Sequence, residues 1–273
     1  NLGPVSVFPN PNLKPESGWS SEVGIKQSFS INNTWKGMVD LAGFWMQYND
    51  MMEFTFGAWG PGPQLEYIIG FTSLNVGRTR ITGAEITLTG EGRLGKWDLN
   101  TLAGFNHSNP ISLDPDSVFA IDQYDKPSTY INTSSDTTGY QLKYRHRNTA
   151  RLDFEIGYDK KVALGFGFRY NSKINNIDSI LVTDWFNGSP LFPDYDLGVN
   201  KSRARLDKGY YICNARVRVT LLKTMSLSLI VENLFNKEFQ LRPTSMGPPR
   251  SVIFQLRANI EERKRGRTKE ARF

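Results

Sequence analysis

The sequence predicts an all-β fold, and three observations support this prediction. Apolar and polar residues alternate with a period of two along almost the whole chain of 273 residues, as expected for β-strands. The chain is polar on average, with a mean hydropathy of −0.42, although 12% of its residues are aromatic. It also contains 24 glycines. This combination is typical of a protein whose strands are apolar on one side only.

Nine segments carry the alternation, and most of them are about ten residues long. The clearest pair spans residues 148–158 and 162–171, where apolar side chains alternate with charged residues or glycine on both sides of a short turn. The other seven predicted strands are 21–29, 35–54, 79–90, 96–106, 210–221, 225–235 and 252–260.

The connections between these strands alternate between short and long. The long ones contain about twenty, forty, thirty-five and fourteen residues, judged from where the alternation stops. Short turns on one side and long loops on the other are typical of an outer-membrane β-barrel, and tilted strands of about ten residues can cross a bilayer. A soluble all-β domain such as a β-sandwich lectin remains the alternative, because alternation alone is generic.

The number of predicted strands implies that this barrel wall is incomplete. Barrels of this class made from one chain have an even number of strands, and an open sheet edge is not tolerated in lipid. We therefore expect the nine strands to close against strands outside this sequence. Those strands belong either to the same longer polypeptide, which we favour, or to another chain.

Charge and cysteine content exclude several functions. The net charge is +6, and residues 261–273 hold six Arg or Lys and three Glu, so the basic character lies largely in this tail. A solvated end is favoured there over contact with nucleic acid or anionic lipid. One cysteine, Cys213, and two histidines argue against a disulfide, a zinc centre or histidine-based catalysis. We therefore expect neither an enzyme nor a bound cofactor or metal.

Four motifs, in order along the chain, resemble the TonB-dependent outer-membrane receptors. They are NPNLKPE (10–16), NVGRTRITGAEITLTG (75–90), YRHRNTARLDFEIGY (144–158) and VENLFNKEF (231–239) with the following GPPR. The resemblance implies a transmembrane antiparallel β-barrel of 22 strands. Residues 1–260 would form approximately strands 14 to 22 with long extracellular loops, followed by the basic tail 261–273. The family's plug domain and TonB-engaging segment have no counterpart in this sequence.

The same resemblance implies a function and partners. It implies energised uptake of a large, scarce ligand of the iron–siderophore, cobalamin or glycan type across the bacterial outer membrane. The implied partners are outer-membrane lipid, the rest of the barrel with its plug, and the TonB complex, with no nucleic acid. The alternative is a barrel without transport activity that acts as a scaffold in an outer-membrane assembly, with a further outer-membrane or surface lipoprotein partner.

Ligand chemistry is expected in the outer loops, where aromatic residues accompany glycine and proline. Trp59 and Tyr67 lie in GAWGPGPQLEY (57–67), and Trp185 lies in TDWFNGSPLFPDYD (183–196). Rigid aromatic surfaces suit the capture of sugars or flat chelates. The alternative is that these side chains sit in the aromatic belt at the membrane interface or pack the loops together.

Two further groups of charged residues have simpler interpretations. The acidic segment 114–125 lacks the glycine turn and terminal glutamate of an EF-hand loop, so solvated acids are favoured there over a calcium site. The predicted lumen row carries charges of both signs, which favours cross-strand pairing over a dedicated anion path. Its members are Arg151, Asp153, Glu155, Arg169, Arg216, Arg218 and Arg257.

Overall fold

The computed structural model describes most of the chain as β-structure. The described residues are 6–32, 34–60, 69–184, 187–188, 196, 198–206, 208–222, 224–242 and 245–258. They form sixteen strands: β1 (Ser6–Phe8), β2 (Ser17–Ile31), β3 (Trp35–Asn49), β4 (Met52–Ala58), β5 (Ile69–Asn75), β6 (Thr79–Leu94), β7 (Trp97–Ser112), β8 (Val118–Ile121), β9 (Pro127–Thr129), β10 (Asn148–Tyr158), β11 (Val162–Asn171), β12 (Tyr210–Leu222), β13 (Met225–Glu232), β14 (Gln240–Arg242), β15 (Ser245–Met246) and β16 (Ser251–Ala258). The tail 261–273 lies outside these residues.

Nine of the strands form one continuous antiparallel sheet, which confirms the nine strands predicted from the sequence. Their order is β16-β13-β12-β11-β10-β7-β6-β3-β2, so each strand pairs with its sequence neighbour within the set. The longest members, β6 and β7, have 16 residues each. The sheet is not closed among the described residues, because β2 and β16 each have one unpaired edge.

Two predicted strand ends were wrong, because the predicted strand 225–235 extends three residues beyond β13 and the predicted strand 35–54 crosses a break. The alternation across residues 35–54 predicted a single long strand, but β3 ends at Asn49 and β4 belongs to a different sheet. Asp50 between them has a positive φ of 52°, a left-handed conformation that breaks an extended strand. The side-chain pattern continues across this break, so alternation alone could not reveal it.

The register places apolar side chains on one face of the sheet and polar ones on the other. Directly paired residues share a face, and one such row joins Leu227, Leu229 and Val231 on β13 to Leu256, Phe254 and Val252 on β16. These residues are exposed or half-buried in the isolated sheet, and Phe254 is 74% exposed. An apolar face of this extent, free of charge, is suited to contact lipid.

Aromatic residues mark both ends of this apolar face. Near the short turns, the Trp97 and Tyr158 rings lie 4.8 Å apart and Trp35 packs edge-on against Phe29. Trp45 marks the other end of β3, where it is 42% exposed. The ten residue-to-residue steps from Trp35 to Trp45 span about 33 Å along the strand, or about 25 Å along the membrane normal after tilting. This matches the apolar band of an outer-membrane barrel.

The long connections carry additional structure at the end opposite the short turns. Three small sheets form there, made of β1-β5-β4, β8-β9 and β14-β15. Single 3-10 turns occur at Thr138–Tyr140 and Ser179–Val182, and one short helix, α1, spans Val199–Arg205. Across the described ranges, no helix is long and apolar enough to cross a membrane.

Candidate ligand-binding site at the outer end

The end of the sheet opposite the short turns, called the outer end, is the only part of the described chain with a compact apolar interior. One buried cluster joins Phe56 of β4 to Ile177 and Leu181 of the connection after β11 and to Val199 of α1. A second joins Met51 and Val76 to Tyr130 and Leu142. The three long connections between β3 and β6, between β7 and β10 and between β11 and β12 therefore pack on one another. They form a single layer above the barrel wall, the outer layer.

A buried ion pair stands at the centre of this layer. Lys143 Nζ lies 2.8 Å from Asp178 Oδ1, and both side chains are only 1% exposed. Asp178 also accepts hydrogen bonds from the Tyr144 hydroxyl at 2.5 Å and from the Phe56 backbone N–H at 2.9 Å. Lys143 donates a second bond to Thr133 Oγ1 at 3.0 Å. A buried pair of charges with this many partners holds three separate connections in one arrangement.

A second buried carboxyl group adjoins this pair. Glu53 of β4 accepts a hydrogen bond from the Tyr130 hydroxyl at 3.3 Å, and the same hydroxyl accepts one from the Lys143 backbone N–H at 2.8 Å. Burial raises the pKa of Glu53 to about 7, and the nearby charges of Lys143 and Arg145 only partly offset this effect. Glu53 is therefore the group of this layer that titrates near neutral pH.

Trp59, one of the three aromatic residues predicted to bind ligand, directly follows β4 in this outer layer. Its indole N–H donates to the Thr55 carbonyl at 3.2 Å, and the side chain is half-buried. It lines a cleft of about 550 Å³ together with Phe8, Asn75 and Phe119. Tyr67 and Trp185 lie outside the described residues.

In the acidic segment 114–125, Asp114 and Asp122 form ion pairs or hydrogen bonds with other residues of this chain. Asp114 forms an ion pair with Arg78, with Nη2 and Oδ1 2.6 Å apart, and its pKa is lowered chiefly by the hydrogen bond from Arg78. Asp122 accepts hydrogen bonds from the backbone N–H groups of Tyr124 and Lys126. Among the described residues there is no group of three or more His, Cys, Asp or Glu arranged to hold a metal ion.

The lumen-facing charges pair across strands, which confirms the prediction of cross-strand pairing, but the pairs skip a strand. Arg216 on β12 reaches across β11 and makes two 2.8 Å hydrogen bonds to Asp153 on β10. It also bonds to Glu155, which Arg218 contacts as well. The glycines of β11 make this reach possible, because a Cβ added at Gly165 would lie 2.6 Å from Arg216 Cζ.

Sequence reasoning missed the buried charges at the outer end. Lys143, Asp178 and Glu53 lie in segments where charged residues are ordinarily solvated, and the partners are far apart in the chain. The contact between Phe56 and Asp178, for example, spans 122 residues. The sequence offers one local indication: Lys143 directly precedes the YRHR motif and therefore lies just before a predicted strand.

Comparisons with known proteins agree with this architecture. The profile of the family described as "TonB dependent receptor-like, beta-barrel" matches residues 1–234. Among solved structures, the ferric-catecholate import receptor Fiu of E. coli K12 has a TM-score of 0.55 and 16% identity over 91% of this chain. The siderophore receptor PiuA of Acinetobacter baumannii has a TM-score of 0.53 and 18% identity over 88% of it. The FrpB iron transporter of Neisseria meningitidis has a TM-score of 0.50 and 17% identity over 93% of this chain.

The chain spans about a third of the length of these solved structures or less. The matched region covers only 28% of the Fiu and PiuA chains and 32% of the FrpB chain. At these identities the structural likeness shows a shared fold. A comparison with curated protein sequences finds no match.

The apolar outward rows, the aromatic residues at both ends and the charged inner face define the wall of an outer-membrane β-barrel. The chain belongs to the TonB-dependent receptor family, since that family's barrel profile covers most of its length. The members of this family are receptors and transporters of the bacterial outer membrane and not enzymes.

Proposed function

We propose that this chain forms the C-terminal part of the barrel of a TonB-dependent transporter, approximately strands 14 to 22 of 22. The transporter takes up a large, scarce ligand of the iron–siderophore, cobalamin or glycan type. The observation that carries the proposal is the family match to a nine-stranded wall whose long connections pack into one layer at one end. The similarity to Fiu, PiuA and FrpB, which are a ferric-catecholate receptor, a siderophore receptor and an iron transporter, favours the iron–siderophore class.

Under this proposal, the plug domain and the segment that engages TonB lie in parts of the transporter other than this barrel wall. Residues 1–260 supply wall and outer loops, and residues 261–273 form the basic tail. Under the scaffold alternative, the basic tail would be the docking element for other proteins, and no contact among the described residues favours this alternative. A further lipoprotein partner would then bind through the tail or the outer layer.

Energy-dependent uptake tests the proposal. In the native host, we expect deletion of the gene to abolish growth on at least one scarce nutrient supplied as the only source, across a panel of ferric chelates, cobalamin and glycans. Deletion of the TonB gene should abolish the same growth. Growth that depends on this gene but not on TonB would contradict energised transport, and unchanged growth on every nutrient would favour the scaffold.

We also propose that Trp59, Tyr67 and Trp185 contact the ligand. For Trp59 the support is its place beside Phe8 and Phe119 in an open cleft of the outer layer. Trp59→Ala should weaken ligand binding about tenfold, because one buried aromatic contact contributes on the order of 1 kcal/mol or more to recognition. Equilibrium binding of the nutrient found in the growth panel measures the change.

Trp97→Ala is the matched control, since Trp97 belongs to the lipid-facing row near the short turns. It should leave ligand affinity unchanged. Equal losses from both substitutions would show that the effect comes from general destabilisation and not from contact with the ligand.

A further inference from the structure

The charged residues that face the lumen show one departure from a consistent pairing rule. In the described sheet, four pairs of charged residues stand directly opposite each other on neighbouring strands. Three of them combine opposite charges: Lys26 with Asp40, Lys36 with Glu91, and Arg93 with Asp98. The fourth places Arg151 of β10 directly opposite Arg169 of β11. Like charges in this arrangement are destabilising, so this pair needs a physical reason.

The nearby carboxylates do not neutralise the two arginines. Asp153, the next inward-facing residue on β10, receives two hydrogen bonds from the guanidinium of Arg216. Glu155 is shared between Arg216 and Arg218. In the part of the chain that the structure describes, neither Arg151 nor Arg169 forms an ion pair, and both are exposed to the lumen. The ion pairs of Asp153 and Glu155 are therefore made with Arg216 and Arg218, and neither carboxylate forms one with Arg151 or Arg169.

The position of Arg151 and Arg169 is better suited to binding a ligand than to stabilising the sheet. Arg151 and Arg169 lie three and two residues from the outer ends of their strands, directly below the outer layer. Both line a cavity of about 450 Å³, together with the carboxylate of Asp153, the amide of Asn214 and the ring of Phe239. Glu232 also lines this cavity from β13, two strands away from Arg169. Two guanidinium groups beside an amide and an aromatic ring can hold an anionic group through paired hydrogen bonds.

We propose that Arg151 and Arg169 form a binding site for an anionic group on the small molecule that enters the barrel. A carboxylate or a similar oxyanion would accept hydrogen bonds from both guanidinium groups and remove their mutual repulsion. This proposal rests on the proposed function, because it assumes that a ligand passes from the outer layer into the lumen. It adds to that function that the ligand is anionic and that Arg151 and Arg169 bind its anionic group.

Citrate and its neutral trimethyl ester are suitable probes, since they share a skeleton and differ in charge. Isothermal titration calorimetry on the native polypeptide in detergent, at constant ionic strength, should show binding of citrate and none of the ester. Arg151→Gln with Arg169→Gln should weaken citrate binding at least about tenfold, because the two substitutions remove both charged hydrogen-bond donors. Arg257→Gln is the matched control, because it removes a lumen-facing arginine near the short turns and should leave citrate affinity unchanged.

A second measurement separates an anion site from a structural role. Without anion, each single Gln variant should unfold at the same temperature as the wild type or a higher one, because the repulsion between the arginines is gone. Lower unfolding temperatures for both variants would overturn the proposal. So would a wild-type protein that does not bind citrate, as expected if a carboxylate of a segment filling the lumen already occupied the site.

The outcomes for the site and for the proposed function are distinguishable. Citrate binding that depends on both arginines, in a protein that supports no TonB-dependent growth, would uphold the site and reject transport. TonB-dependent growth with citrate affinity unaltered in the double variant would uphold transport and reject the site.

Discussion

At the scale of single residues, the outer layer depends on Asp178. This carboxylate compensates the buried charge of Lys143, and it also accepts hydrogen bonds from the Tyr144 hydroxyl and the Phe56 backbone. The three groups that contact it come from β4 and from the connection before β10, and Asp178 itself lies in the connection after β11. The two connections also share a β-bridge between Ser134 and Asp178, and the Asp178 side chain adds the link to β4.

Asp178→Asn should loosen the outer layer while the barrel strands stay intact. Removing one partner of a buried pair leaves an uncompensated charge and costs about 3–5 kcal/mol. Hydrogen exchange of the native polypeptide should show lost protection in residues 50–58 and 129–144 and unchanged protection in β10 and β11.

Asp196→Asn is the control for this change. Asp196 pairs with Lys201 on the surface, where the Lys201 side chain is 80% exposed, and such pairs contribute little to stability. We expect no measurable change in protection. If the two variants behaved alike, the buried ion pair would not be what holds the layer together.

Gly165 shows how a missing side chain can be a structural requirement. Gly165→Ala should displace Arg216 from Asp153 and Glu155, because the new Cβ would overlap the guanidinium, and overpacking of this kind costs about 1–3 kcal/mol. The urea midpoint of the detergent-solubilised protein measures the loss. Gly104→Ala on β7 is the control, since its Cβ would meet no atom closer than 3.7 Å. Equal midpoints for both variants would contradict the steric argument.

At the scale of elements, the outer connections should respond to pH through Glu53. Its pKa is about 7 in the folded layer against 4.5 ordinarily, so the folded layer binds a proton more tightly than the unfolded segment does. The layer is accordingly most stable below pH 4.5, loses stability as the pH rises to about 7, and changes little above that. The total is on the order of 3 kcal/mol. The groups that face Glu53 are Tyr130, Lys143, Arg145 and Asp178.

Hydrogen exchange of β4 at pH 5 and pH 8, corrected for the intrinsic pH dependence of exchange, measures this effect. Protection should be greater at pH 5. Glu53→Gln keeps the side-chain volume and removes the titration, so its corrected protection should be equal at the two pH values. Greater protection of the wild type at pH 8 would show that the sign is wrong.

At the scale of the whole molecule, the two faces of the nine-stranded sheet require different surroundings. The outward face presents apolar rows between aromatic ends, and the inward face presents ion pairs and glycines. The native polypeptide should therefore need detergent for extraction. It should also migrate differently on a gel before and after boiling, because a closed strand ladder resists detergent at room temperature. Release from membranes by salt or alkali alone would contradict this arrangement.

The sequence was sufficient to predict the wall of this molecule but not the layer above it. Alternation records which face each strand residue occupies, so nine strands, their antiparallel order and the pairing of lumen charges could be inferred locally. The outer layer is held by contacts between residues far apart in the chain, such as Glu53 with Tyr130 and Lys143 with Asp178. No local pattern distinguishes a buried lysine of this kind from a solvated one. The break at Asp50 was missed for a related reason, because the next strand continues the same alternation in another sheet.

The position of Arg216 across β11 also bears on how the wall assembles. A slip of one residue is prevented by the apolar pattern, which would invert, but a slip of two residues keeps every side chain on its face. Gly165 opposes such a slip in one direction. A two-residue slip that brought Ala163 into the position of Gly165 would place its methyl group against the guanidinium of Arg216. Gly165 and Arg216 therefore act against this misalignment of β11 between β10 and β12 during assembly of the barrel.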